Sequence, residues 1–245
     1  MSGIILVTSC HKHLQTRVKE LKVPKSFCSW PIIIAIGDPR LDKEYEWRPD
    51  GILVVKCEDS YFHLIKKIYK TLDIIMKLYD GLQGALICGD DVIFNYDKLA
   101  EFIKCPKSDY MGWVTHGEGP KKMFNPFMSS YFLEHPQEWN DPLNGIQGLD
   151  LSRCVMLPCA PRIAGTIRYA SIKTINNVIN FLKGIDWNCF HYDNDYGFIT
   201  ICEDLGVGAI MQITCTPLTF YKLVAQNEKD FETGDWVGYT TNKYK

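Results

Sequence analysis

The sequence predicts an α/β fold with a mixed, mainly parallel central sheet between helices, and three observations predict it. Short β-branched runs recur through the N-terminal third, stretches of helical periodicity stand among them and after them, and each early run ends in glycine or polar residues. Strands covered on both faces of a parallel sheet read as continuous apolar runs rather than alternating ones. Open sheets of this kind place their ligands beyond the carboxyl ends of the strands.

The runs Gly3 to Thr8, Pro31 to Ile36 and Gly51 to Val55 are the first three expected strands. From Tyr61 the period changes. Tyr61, Leu64, Ile65, Ile68, Leu72, Ile75, Met76 and Tyr79 recur at three- and four-residue steps, while Lys66, Lys67, Lys70 and Lys77 fall largely elsewhere, so an amphipathic helix is predicted. Ser60 is its expected cap and Gly81 its stop. Gly84 to Cys88 predicts a buried strand running into Gly89-Asp90-Asp91 and on to Val92-Ile93-Phe94. A helix over Tyr96 to Lys104 and a strand over Met111 to Val114 follow. Thr115 to Pro161, rich in Pro, Gly and aromatics, predicts mostly loop, and a loop that long in a compact domain is usually functional. Ile172, Ile175, Val178, Ile179 and Leu182 predict a helix stopped by Gly184. Another is expected to begin near Asp193-Asn194, to include Tyr196, Ile199 and Cys202, and to end at Gly206. Ala209 to Ile213 predicts a last strand. Residues 1–226 are expected to form one domain, and 227–245 a polar, poorly packed tail.

Hydrophobic residues make up 46% of the 245 and charged residues 23%, which excludes disorder and collagen-like or coiled architectures. With 27 Lys+Arg against 29 Asp+Glu the net charge is −2, so no global basic field exists to hold nucleic acid. The longest apolar runs fall far short of the about 20 residues a membrane-spanning helix needs. Met1-Ser2-Gly3 also lacks a signal-peptide pattern, so a cytoplasmic protein is expected. The ten cysteines include no Cys-x-x-Cys pair and read mainly as reduced, buried side chains.

The feature richest in chemistry is Asp90-Asp91, at the end of an apolar strand. Two adjacent, partly desolvated carboxylates repel each other unless a cation or hydrogen bonds offset the cost. Hard oxygen ligands suit Mn²⁺ or Mg²⁺. A solvated turn with a capping Asp is the plain alternative. Asp193-Asn194-Asp195 sits at an expected helix start, where the dipole favours one acid and leaves the second free to act. Cys10-His11-Lys12-His13 lacks the second ligand pair of a zinc site and reads as loop. Trp113, Trp139 and Trp187 offer flat apolar faces on which sugars stack, or simply fill core. No phosphate-binding Gly-x-x-x-x-Gly-Lys loop and no Gly-x-Ser-x-Gly elbow is present.

Taken in order, these segments form a series. An opening strand ends in Thr8-Ser9, Arg17 follows in a basic helix, and a second strand reaches Ile36-Gly37. Glu58-Asp59-Ser60-Tyr61 with His63-Leu64 and Lys67 comes next, then Gly89-Asp90-Asp91-Val92. Leu157-Pro158-Cys159-Ala160-Pro161, Ala164-Gly165-Thr166 with Tyr169 and Ser171, and Asn194-Asp195-Tyr196-Gly197 through Leu205-Gly206-Val207 complete it. The series resembles the inverting β-1,3-glycosyltransferases, the family of β-1,3-galactosyltransferases and Fringe proteins. It is similar in turn to that family's Asp-Ser-Tyr-x-Asn-Leu-Thr-x-Lys segment, its Asp-Asp-Asp-Val metal motif and its Glu-Asp-Val-x-x-Gly segment. The match spans roughly residues 4 to 215.

The resemblance implies a GT-A glycosyltransferase fold and transfer of a hexose or N-acetylhexosamine, with inversion, from a UDP-sugar donor to a hydroxyl of a glycan acceptor. Asp91 would ligate Mn²⁺ or Mg²⁺ directly, with Asp90 against a metal-bound water or the donor ribose. Thr8, Ser9, Arg17, Gly37, Asp59, Lys67 and Asp90 would line the donor site, Lys67 approaching the phosphates. Gly165 and Thr166, with Trp113, would face the acceptor. Asp195 would accept the acceptor hydroxyl proton. The stretch from Thr115 to Pro161 is the candidate acceptor or lid segment. The chain departs from the family at Gly89, where the family has its first acid, and at Asn194, before the expected catalytic Asp. It also lacks the family's late metal-binding His, its last histidine being His191. Without the anchor and paired cysteines of Golgi members, a soluble bacterial or viral relative fits best. Two alternatives stay open: a non-catalytic glycan-binding or scaffold protein with the same fold, and a metal-dependent phosphohydrolase or nucleotidyltransferase using Asp90-Asp91.

Overall fold

The structure is a computed structural model and describes residues 3–21, 24–60, 63–115, 122–123, 137, 140–143, 155–156, 161–184, 203–225 and 228–241. β1 (Ile4–Thr8) leads through α1 (Arg17–Glu20) and β2 (Ser26–Phe27) to β3 (Trp30–Gly37), and β4 (Tyr45–Trp47) precedes β5 (Ile52–Val55). α2 (Leu64–Leu78) leads to β6 (Gly84–Gly89), which turns into β7 (Val92–Phe94). After α3 (Tyr96–Lys104) come β8 (Tyr110–Thr115), the paired β9 (Lys122–Met123) and β10 (Val155–Met156), and β11 (Arg162–Ser171). α4 (Ile172–Leu182), α5 (Glu203–Ile213), β12 (Leu218–Phe220), β13 (Val224–Ala225), α6 (Glu228–Glu232) and β14 (Gly238–Thr240) follow.

Among the described residues nine strands form one sheet, in the order β12-β8-β11-β6-β1-β3-β5-β4 with β2 beside β3. β6, β1, β3 and β5 are mutually parallel. β11 runs against both β6 and β8, and β12 runs with β8, so the sheet is mixed with one reversed strand in its interior. From β1 the chain builds outward through β3 and β5, then returns to place β6 on the other side of β1. That reversal between β1 and β6 is a topological switch point, and open α/β sheets bind ligands in the crevice beyond the carboxyl ends of the strands at such a point.

Alternation explains the unbroken apolar runs. Ile4 and Leu6 face one layer with Ile33, Ala35, Leu53 and Val55, under Ile65, Ile68, Leu72 and Ile75 of α2 and Ile175, Val178 and Ile179 of α4. Ile5 and Val7 face the other with Leu86, Cys88, Leu99 and Phe102. The sheet thus lies between helices, as expected. Among the described residues no helix is long and apolar enough to cross a membrane.

Three expectations are corrected. Among the described residues α2 runs from Leu64, and Ser60 does not cap it: the Ser60 hydroxyl is 2.7 Å from His63 Nδ1 instead, while Tyr61 lies outside the described residues. His63 is buried, and burial pushes its imidazole down to about 4, so it stays neutral beside that hydroxyl. Ala209 to Ile213 is not a strand but the end of α5, which runs straight through Gly206. The apolar run from Val207 to Met211 is buried in a helix, and short buried runs do not distinguish helix from strand. Gly208 lets α5 lie against β11, since a Cβ there would stand 2.8 Å from Arg162 Cβ and 3.0 Å from the Pro161 carbonyl. Finally, the stretch after Asn227 is packed. β14 pairs with β7, and Trp236 and Val237 are buried. The expected start of the helix near Asp193 lies outside the described residues.

Candidate functional site

Thr8 is in register with both Ala35 of β3 and Gly89 of β6, so the chain leaves β1 and β6 side by side. The Thr8 hydroxyl donates to the Cys88 carbonyl (2.9 Å), and the next residue, Ser9, donates through Oγ to Asp90 Oδ2 (2.6 Å). One turn of 3-10 helix, His11–His13, then curls over the strand ends. It brings His13 Nδ1 to 2.9 Å from Asp90 Oδ2, and α1 brings Arg17 Nη1 to 3.3 Å from Asp90 Oδ1. Burial alone would raise the Asp90 carboxyl, but the hydrogen bonds from His13 and Ser9 and the neighbouring charges of His13 and Arg17 hold it below its ordinary value.

Asp91 has the opposite environment. Burial first, and the charge of Asp90 second, push its carboxyl up. Its Oδ1 lies over Gly89, where a Cβ would be 2.7 Å away. An acid at position 89 would therefore displace the Asp91 carboxylate from its present place. The Asp91 carbonyl accepts the Thr241 N–H at 2.8 Å, so the strand β14 braces the acidic turn.

A second centre lies at Asp59, 3% exposed. Its Oδ1 accepts the Gly37 N–H and the Lys67 ammonium, both at 2.8 Å. Its Oδ2 accepts the His11 N–H at 2.6 Å and lies 2.8 Å from His11 Nδ1. Burial works against the ionised form, but the bonds from His11 and the charge of Lys67 outweigh it and lower the carboxyl. Lys67, placed on the polar face of α2 by its period, is only 2% exposed, its ammonium directed at Asp59 and at the Ser9 carbonyl (2.5 Å). Gly37 must be glycine here, because a Cβ would be 2.7 Å from the Cys57 carbonyl.

Ser9, Arg17, Gly37, Asp59, Lys67 and Asp90 thus belong to one hydrogen-bonded assembly beyond the carboxyl ends of β1 and β6, with Thr8 and Asp91 next to it. Trp113 is half-buried on β8, its ring centroid 5.4 Å from those of Phe220 and Trp236. Gly165 and Thr166 lie in the stretch of β11 where the register with β8 shifts, and the Thr166 hydroxyl meets that of Thr240, which pairs with Val92 beyond the acidic turn. Asp195, Trp139 and Trp187 lie outside the described residues.

His11, His13 and Asp141 are the members that motif reading missed. The two histidines read as loop because nothing near them in sequence completes a site; their partners are 48, 77 and 130 residues away. The signal available was their position, directly after a strand expected to end at a ligand crevice. Among the described residues both histidines bond carboxylates.

Both Asp90 oxygens already have partners, whereas the Asp91 carboxylate meets no cationic side chain within ion-pair distance among the described residues. Among those residues no group of three or more His, Cys, Asp or Glu is gathered as a metal site. A half-buried carboxylate with a raised pKa and a like charge beside it still suits a cation bound through one protein ligand, the remaining positions being filled by substrate phosphates and water, the usual manner for Mg²⁺. Comparison with protein-family models and with curated proteins finds no match for this chain.

Proposed function

We propose that the chain is a metal-dependent, inverting glycosyltransferase of the GT-A kind, transferring a hexose or N-acetylhexosamine from a UDP-sugar to a glycan hydroxyl. The observation that supports this reading best is that, at the β1/β6 reversal, both Asp90 oxygens have partners, while burial and the charge of Asp90 outweigh the backbone N–H and the more distant Arg17 and His13 at the half-buried Asp91 and raise its carboxyl. The mixed sheet with its crevice at that reversal supports the fold assignment. The free cysteines among the described residues support a reducing, cytoplasmic setting.

Asp91 would hold Mn²⁺ or Mg²⁺, with Asp90 behind it through water. The ion supplies positive charge to a nucleoside diphosphate as it departs. Arg17 adds positive charge on the Asp90 side of the same crevice. The Asp59 and Lys67 pair holds Gly37 and the turn after β1 in place, so that the residues around Asp90 and Asp91 keep their positions without rearrangement. Trp113, Gly165 and Thr166 would present the acceptor. Asp195 would take the proton from the acceptor hydroxyl as the new bond forms on the face opposite the leaving group.

Product analysis after incubation with UDP-sugars and Mn²⁺ tests the reading. Intact UDP should be released, and Asp195→Asn should lower turnover by about 10²–10⁴-fold with donor binding retained. Release of phosphate or pyrophosphate in its place would instead identify a phosphohydrolase or nucleotidyltransferase. Normal turnover by Asp195→Asn would remove the assigned base.

A further inference from the structure

Asp141, Pro142 and Leu143 belong to the long stretch between β8 and β11, yet they are fastened to the floor of the crevice at two points. The Leu143 carbonyl accepts the Asp59 N–H at 2.8 Å, and Asp141 Oδ2 lies 2.7 Å from His11 Nε2. Asp141 Oδ1 accepts the Leu143 N–H at 2.9 Å, which binds the turn to itself. The other ring nitrogen of His11 lies 2.8 Å from Asp59 Oδ2. One imidazole is thus shared between two carboxylates from distant parts of the chain.

An ionised carboxylate only accepts hydrogen bonds, so both contacts are made at once only when each ring nitrogen has a proton. A neutral ring donates to one carboxylate and turns a lone pair on the other. We infer that His11 is a positioning residue whose imidazolium form fastens the 141–143 segment across the crevice, and that loss of one ring proton releases the segment. The inference rests on the chain's own contacts and is independent of the glycosyl-transfer reading.

The charges around the ring favour the imidazolium. Asp59 and Asp141 face it directly. Asp38, following β3, is close enough for His11 to stabilise its ionised form, although its main partner is Arg40, which also feels Asp141. Lys67 of α2 offsets Asp59 from the far oxygen. Cys10 stays a neutral thiol, burial pushing it up to about 11. The hydrogen bond to Asp59 raises His11 above its ordinary value against the cost of burial, and the bond to Asp141 adds to the rise. The fastening is therefore complete below 6.5 and lost as pH climbs through the raised value.

The Asp59 amide reports the contact, because its acceptor is the Leu143 carbonyl. Amide exchange by NMR on the intact chain, from about pH 6 to about pH 9, should show its protection relative to Leu6 falling about tenfold or more, the loss expected when a hydrogen bond to a charged group is given up. In Asp141→Asn the side-chain amide can donate to an unprotonated Nε2 while Nδ1–H serves Asp59, so protection should persist to the alkaline end. In Asp141→Ala it should be low throughout. Constant protection in the unaltered chain, or an unchanged pH step in Asp141→Asn, would overturn the inference. Should either variant fail to fold, the pH series on the unaltered chain decides alone.

Discussion

Ser9, His13 and Arg17 all reach the Asp90 carboxylate, whereas Asp91, one residue on, has burial and a like charge for company. Adjacent acids after an apolar strand were visible in the sequence, but this division of roles was not, because it depends on side chains contributed by a different strand and turn. The same holds for Asp59 and Lys67. Their side chains are 0% and 3% exposed and hydrogen-bonded to each other, so removing one leaves the other charged in a dry place. Lys67→Met should cost about 3–5 kcal/mol in urea unfolding, the range for breaking a buried pair from one side. A loss under about 1 kcal/mol would mean that water reaches the pair and that it behaves as a surface one. Gly89 was legible as a departure from an acidic triplet. Its spatial meaning, as the place over which Asp91 folds, was not.

At the level of elements, α3 and α4 fell where their periodicity put them, because each has a polar outer face and a capping side chain, Asn95 and Ser171. α5 did not. Buried through its Gly206–Met211 stretch, it shows little helical periodicity, and its glycines imitate stops. Gly208 instead allows contact with β11, so Gly208→Val should destabilise by about 1–3 kcal/mol through overpacking. Gly184→Ala is the control: among the described residues its Cβ would meet only the Phe181 carbonyl, at 3.6 Å, and should change stability by no more than about 0.5 kcal/mol. Equal losses at the two positions would refute the packing explanation for Gly208.

Across the whole molecule, β1, β3, β5, β6 and β8 could be read from apolar runs, β11 was not, and the run Ala209 to Ile213 misled; strand order could not be read at all, since nothing local records that the chain returns past β3 and β5 to set β6 beside β1. That return gathers the acidic turn, the His11–His13 turn and Asp59 in one crevice. Stability should therefore fall on both sides of neutrality. Asp59 and Asp90 have lowered folded values, so their contribution is present above 3.8 and is lost as pH drops through those values. His11 has a raised folded value, so its contribution is complete below 6.5 and is lost as pH rises. Urea midpoints across pH should show a plateau between these limbs, and His11→Gln should flatten the alkaline limb and also weaken the Asp59 part of the acid limb, because Asp59 loses the bond from the His11 ring. An alkaline limb unchanged in that variant would assign it to another group.

Asp91 is proposed to grip a divalent cation at a diphosphate site. Titration calorimetry of UDP into the intact chain, with and without Mn²⁺, addresses it directly. Binding should require the ion in the unaltered chain and vanish in Asp91→Asn, whose fold should be intact because burial and the charge of Asp90 already disfavour the ionised Asp91 carboxyl. Metal-independent binding, or equal metal-dependent binding by Asp91→Asn, would contradict the account.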